Sequence, residues 1–126
     1  MLIGVDVGTG SARAGVFDAA GRLLGVGKHP VTMWQDPGDI VEQSSDQIWL
    51  AVCIATHEAM AASGVSGAAI RGIGFDATCS LVAVGDRGQG LPVGRSGDPS
   101  RNVIVWMDHR AQAEAETHGF IKLVLG

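Results

Sequence analysis

Asp6-Val7-Gly8-Thr9-Gly10-Ser11-Ala12-Arg13 is the stretch whose reading decides the fold. The run before it, Leu2 to Val7, is short and β-rich, and Ala12 to Phe17 after it resumes as a strand. Gly8-Thr9-Gly10 is therefore read as a tight turn between two strands. Asp18-Ala19-Ala20-Gly21 is a second turn, with glycine where positive φ is wanted, and Arg22 to Val31 returns as a third strand closed by Pro30. Three antiparallel strands joined by tight turns make a meander.

Further along, Met33 to Gln43 reads as irregular, with Asp36-Pro37-Gly38 its clearest turn. Ser44 and Gln47 stand at capping-box spacing and open a helix that Ser63-Gly64 ends. Ile48, Val52, Ala55, Ala59 and Met60 form its apolar face, extended by Trp49, Cys53 and Thr56. About 19 residues at ~1.5 Å each give roughly 28 Å, enough to cover a sheet. Ile70 to Ala77 is the next strand. Leu81 to Val84 and Leu91 to Val93 are β-like around a Gly85–Gly90 turn, and Gly94 to Arg101 is a loop. Val103 to Trp106 is a brief strand, and Asp108 is read as the cap of a last helix from His109 to about His118.

The order βββαβ plus a hairpin insertion opens an α/β fold of the ribonuclease-H-like type, with a mixed sheet. Such a sheet needs further strands and helices on both faces. Residues 1–126 thus read as the incomplete front portion of a larger protein, with an apolar tail from Phe120 to Gly126 that has no partner in view.

Composition narrows the function classes. Apolar residues make up 46% and charged residues 17%, which excludes a disordered tail. Nineteen glycines among 126 residues are about double the ordinary ~7%, and without a collagen period they serve turns or close backbone approaches. Nine basic and thirteen acidic residues give a net charge of −4, with only two lysines, Lys28 and Lys122. That balance disfavours nucleic acid, which needs clustered positive charge. The start meets Asp6 without a basic n-region, and no apolar run approaches the ~18 residues of a membrane span. The chain reads as a soluble, cytoplasmic protein. Cys53 and Cys79 form neither a CxxC nor a disulfide framework and read as reduced packing residues, Cys79 small and buried.

The opening turn carries the chemistry. A carboxylate at a strand end, Asp6, can hold Mg²⁺ directly or through water. Backbone N–H groups from Gly8 to Ser11 can be approached closely by a phosphate because of the glycines. Thr9 and Ser11 add hydroxyls, and Arg13 offers a forked cation to a phosphate oxygen. The plain alternative is a Gly-Thr-Gly-Ser turn with a solvated aspartate. Gly27-Lys28-His29 is a near miss for a Walker loop, lacking Gly at 22 and Ser or Thr at 29. The dinucleotide fingerprint fails too, since Gly8 and Gly10 are followed by Arg13.

Asp6-x-Gly8-Thr9-x-Ser11-x-Arg13 resembles the first phosphate motif of the FGGY carbohydrate kinases, in the sugar kinase, heat-shock protein and actin superfamily. Asp36-Pro37-Gly38 through Val41-Glu42-Gln43, then Ile48-Trp49, resembles that family's approach to its first long helix. Gly72 to Ser80 resembles the strand and loop that meet the sugar, and Arg101 to Arg110 the next sugar-facing element. The resemblance runs from residue 2 to about 117, in order. Phe75-Asp76-Ala77-Thr78-Cys79-Ser80 and Trp106-Met107-Asp108-His109-Arg110 look most like the pentulose kinases of the D-ribulose type.

The resemblance implies an actin-like ATPase fold and transfer of the γ-phosphoryl of Mg·ATP to a sugar hydroxyl in a cleft between two domains. Asp6 would hold the Mg²⁺ shell, and Gly8, Thr9, Ser11 and Arg13 would cradle the phosphates. Asp76, Ala77, Thr78, Trp106, Asp108 and Arg110 match sugar-side positions, where carboxylates accept from hydroxyls and an indole gives a flat wall with one donor. ATP, Mg²⁺ and a small sugar are the implied partners, without nucleic acid or membrane, and with a homodimer open to the full-length protein. The catalytic aspartate of the family comes from a later segment, so this chain holds no catalytic residue and is expected to be inactive alone. Residues 1–126 would be the N-terminal part of the first actin-like domain, with the second domain absent.

Plainer roles stand beside these. Trp106 would serve as core, Asp108–Arg110 as a helix-start ion pair, Thr78 as a strand-end partner, and Trp34 and Trp49 as packing. His57, His109 and His118 show no metal-ligand spacing. The different-class rival is a two-metal nuclease on the same fold, using Asp6 and Asp76 together. A non-catalytic fragment of the fold is the third reading. A kinase cleft is expected to leave room for a phosphoryl and a sugar between Asp6 and Asp76.

Overall fold

A computed structural model describes residues 1–117 of the chain. The opening meander forms as read: β1 (Leu2–Val7), β2 (Ser11–Phe17) and β3 (Leu23–Pro30). β2 runs antiparallel to both neighbours, and opposite Val16/Phe17 the register skips Leu24, an extra residue in β3. The fourth strand of this sheet, β6 (Gly72–Ala77), comes later in the chain and lies parallel to β1, giving the mixed order β3-β2-β1-β6.

Helix α1 (Ser45–Ser63) covers one face of the meander. Ser44 caps it by accepting from the Gln47 N–H at 3.3 Å, and Gly64 ends it in the left-handed region at φ 64°. Alternation along the strands sends Ile3, Val5, Ala12, Ala14 and Val16 to Ala51, Val52, Ala55 and Ala59 of the helix. Each fully buried valine in such a layer stabilises the fold by roughly 1.5–3 kcal/mol. Two glycines set the helix height. A Cβ at Gly27 would run into the Ala55 carbonyl oxygen and meet Glu58 Cβ at 2.6 Å, and one at Gly25 would meet the Ala59 oxygen and the Ser63 nitrogen at 2.5 Å. The helix rests on bare β3 backbone. Ile48 and Met60 flank this contact as expected, whereas Trp49 is 61% exposed, because α1 spans β3 to β1 and stops short of β6.

Residues 33–43, read as irregular, form a hairpin instead: β4 (Trp34–Asp36) and β5 (Ile40–Gln43). Gly38 at φ 90° and Asp39 at φ 57° turn the chain in the left-handed region. Strands of three and four residues are too short to show alternation, which is why the pattern was silent. A 3-10 turn at Gly67–Ala69 delays the next strand, so β6 is Gly72–Ala77 rather than starting at Ile70. β7 (Leu81–Val82) and β8 (Val103–Ile104) complete a second sheet, ordered β4-β5-β8-β7.

Several readings of the second half need correction. β8 ends at Ile104, and Trp106 stands in a turn, 58% exposed rather than in the core. Leu91 to Val93 forms no strand. Asp108 does not cap a helix starting at 109: its Oδ1 accepts from the Arg110 N–H at 3.0 Å, and helix is seen only at 112–117. The expected end at His118 and the tail lie outside the described residues. Cys79 is exposed, and both cysteines are free thiols. No helix among the described residues is long and apolar enough to cross a membrane.

Candidate functional site

The turn between β1 and β2 is closed by Gly8 N–H donating to the Ser11 carbonyl at 3.0 Å. Three outside donors then hold it. Val31 N–H reaches Gly10 O at 3.1 Å, Gln43 Nε2 reaches Thr9 O at 2.6 Å, and Trp106 Nε1 reaches Thr9 Oγ1 at 3.0 Å. Ser11 is buried at the start of β2, while Thr9 and Gly8 are half-buried and Gly10 is open. Because Trp106 donates to Thr9, the opening turn and the late indole share one side of the molecule.

Beside the turn runs a row of charge. Strand register places Lys28, Arg13, Asp6 and Asp76 in line across β3, β2, β1 and β6, on the face away from α1. Arg13 Nη1 and Asp6 Oδ2 pair at 2.7 Å, each about half exposed, so the bond is screened and readily exchanged. Asp6 and Asp76 sit on adjacent parallel strands, without the gap that a kinase cleft was expected to leave between them. Below the row, Gly4, Gly15 and Gly74 leave an open groove floored by Phe17, Leu23 and Val26.

The late loops gather at the same end. Thr78 N–H continues the parallel pairing to Val7 O at 3.2 Å, just past Ala77 at the end of β6. Thr78 Oγ1 lies 3.2 Å from Ser80 Oγ, which accepts from Trp106 N–H at 3.3 Å. A continuous polar chain thus links Val7, Thr78, Ser80, Trp106 and Thr9.

Asp108 and Arg110 take a different position. Their side chains are 1% and 22% exposed and turn inward. Arg110 Nη2 binds Asp108 Oδ2 at 2.6 Å and Glu42 Oε1 at 2.8 Å, and its Nη1 donates to Val93 O at 2.9 Å. Glu42 Oε2 accepts from Arg101 Nε at 2.6 Å, and Arg101 also pairs with Asp36 and lies over the Trp34 ring at 5.4 Å. Burial pushes the Asp108 carboxyl up, but the Arg110 guanidinium and the Val41 and Arg110 N–H groups outweigh it and hold it below the usual carboxylate range. Hydrogen bonding to Asp108 raises the Arg110 guanidinium above its ordinary value despite burial.

Gln43, Ser80 and above all Glu42 escaped the residue-by-residue reading. Glu42 is 1% exposed, yet its partners stand 59 and 68 positions away, and no local spacing announces them. Ser80 closes the Gly72–Ser80 segment and carries a visible signal, a hydroxyl two positions from Thr78.

Residues 1–119 match the model of the FGGY family of carbohydrate kinases, N-terminal domain. The chain belongs to the FGGY family of carbohydrate kinases. It is 46% identical over 112 residues to the human FGGY carbohydrate kinase domain-containing protein, covering 89% of this chain and 20% of that one. It is 46% identical over 116 residues to a D-ribulokinase of Saccharomyces cerevisiae, covering 90% and 16%. The crystal structure of a xylulose kinase from Rhodospirillum rubrum superimposes with a TM-score of 0.78 at 25% identity, over 93% of this chain and 22% of that one. The chain therefore spans about a fifth of the length of these FGGY relatives. The mixed α/β fold expected from the element order, and implied by the family resemblance to be actin-like, is the fold of these kinases. The family model matched is that of carbohydrate kinases, whereas the nuclease reading rests on the Asp6–Asp76 spacing alone.

The family implies Mg²⁺ with ATP, and the turn can be tested for it. No group of three or more His, Cys, Asp or Glu among the described residues is arranged to hold an ion. What is present is a half-exposed Asp6 carboxylate with Asp76 in its register row. One or two carboxylates completed by phosphate and water suit Mg²⁺, which keeps much of its hydration. The residues fit the ion.

Proposed function

We propose that this chain supplies the phosphate-gripping turn and part of the sugar wall of an ATP-dependent carbohydrate kinase acting on a pentulose such as D-ribulose. Residues 1–126 are, on this reading, the N-terminal part of its first actin-like domain. The observation that carries it is the Trp106–Thr9 hydrogen bond, which joins the two loops that would meet phosphate and sugar.

The Thr9, Gly10 and Ser11 backbone N–H groups, with the Thr9 and Ser11 hydroxyls, donate to the terminal phosphate oxygens, while the Gly8 N–H stays on the Ser11 carbonyl and closes the turn. Arg13 would exchange its exposed bond to Asp6 for a phosphate oxygen, which would leave the Asp6 carboxylate free to hold Mg²⁺. Mg²⁺ supplies neutralisation of the phosphate charge. Trp106 presents its exposed indole face to the sugar, and Asp76, Ala77 and Thr78 line the end of β6 beside it. Asp108 and Arg110 reach the sugar side through the loop they brace. The base that deprotonates the sugar lies outside this chain, so turnover by the chain alone at an ordinary ~1–100 s⁻¹ would overturn this assignment. A pentulose is supported by the Asp76-Ala77-Thr78 and Trp106-Met107-Asp108 strings and by the name of the yeast relative.

Calorimetric titration of the chain with Mg·ATP tests the turn. Wild type binds, and Asp6→Ala and Arg13→Ala each weaken binding roughly 10–100-fold, the worth of one charge-assisted contact. Binding indifferent to both substitutions would place the nucleotide elsewhere.

A further inference from the structure

We propose that Glu42 is the positioning residue of the sugar-facing loop, setting Trp106 over Thr9 from beneath without touching substrate. The role of that loop rests on the kinase reading above; the bracing itself does not. The Glu42 carboxylate is 1% exposed, and each oxygen accepts from a different arginine of the same excursion: Oε2 from Arg101 and Oε1 from Arg110. Between those arginines lie β8 and Trp106, so one carboxylate ties both ends of the segment that carries the indole.

The surroundings are built to this carboxylate. A Cβ on Gly94 would land on it, so the incoming loop packs directly against Glu42. Arg110 reaches on to Val93 O beside that glycine, at 2.9 Å. β5 adds backbone bonds on the same segment: Val105 N–H donates to Val41 O at 3.0 Å, and Asp108 accepts from Val41 N–H at 2.7 Å. The next residue, Gln43, holds the Thr9 carbonyl. Adjacent residues of one short strand therefore hold the phosphate turn and the indole loop in a single frame. Neutralising Glu42 removes the charge shared by two partly buried guanidinium groups, and the loop shifts to hydrate them.

The test reads the Trp106 indole N–H by NMR, assigned with Trp106→Phe, in the chain without ligand. In wild type its solvent exchange is slowed by the bond to Thr9. In Glu42→Gln that protection falls at least about tenfold, while α1 and β1–β2 amides keep theirs. D-Ribulose binding then weakens and Mg·ATP binding does not. Should Glu42→Gln fail to fold, Arg110→Lys keeps the charge, loses the Nη2 bond to Glu42 together with the fork to Asp108, and is read in the same way. An indole that stays protected in the folded variant overturns the proposal, as does a uniform loss across α1 and both sheets, which would mark Glu42 as general scaffold. If wild type binds neither ligand, the kinase reading fails while the indole exchange still judges Glu42.

Discussion

Behind β1, β2 and β3 the packing is aliphatic and close: valines and alanines on one strand face meet the alanines of α1, with bare glycine backbone under the helix. Around β5 and β8 it is ionic. Asp36, Arg101, Glu42, Arg110 and Asp108 alternate in sign through a region whose apolar share is Val41, Val103 and Val105. The first region is set by volume, whereas the second is set by charge. The difference matters because the first holds the strands that carry Asp6 and Arg13, and the second aims the loop that carries Trp106.

The sharpest way to break this contrast is to remove a charge from the second region. Arg110→Ala leaves Glu42 and Asp108 without their common partner and is expected to cost about 3 kcal/mol in urea unfolding followed by circular dichroism. A loss under about 1 kcal/mol would show the network to be ornamental. Gly27→Ala probes the aliphatic layer. The added methyl meets helix backbone that cannot move aside, and a loss of about 2 kcal/mol is expected from the same measurement. Should that variant be as stable as wild type, the helix does not rest on β3 as described.

Acid separates the two regions by a smaller effect. Asp108 is held below the ordinary carboxylate value, so the stability it contributes is complete above about pH 4 and is lost as pH falls through its lower folded value. Below about pH 4 the amide protection of β5 and β8 should fall before that of α1, and Asp108→Asn should abolish that order of loss. Simultaneous melting would argue against it. Smallest of all, Arg13→Ala removes a half-exposed pair and should change stability by less than about 1 kcal/mol while still weakening Mg·ATP binding. A large stability loss would move Arg13 from the ligand's side to the scaffold's.

Local chemistry by itself determined the meander, the helix with its Ser44 and Gly64 caps, and the glycine turn after Asp6, because each depends on residues close in sequence. The order of motifs determined the family as well. Only the tertiary structure decided that Asp6 and Asp76 share a register row, that Trp106 stands exposed on Thr9, and that Asp108 and Arg110 turn inward to Glu42. Those facts depend on partners up to 97 positions apart, and on hydrogen-bond geometry that no periodicity encodes. A buried carboxylate reads in sequence like any solvated one until the fold brings its arginines to it.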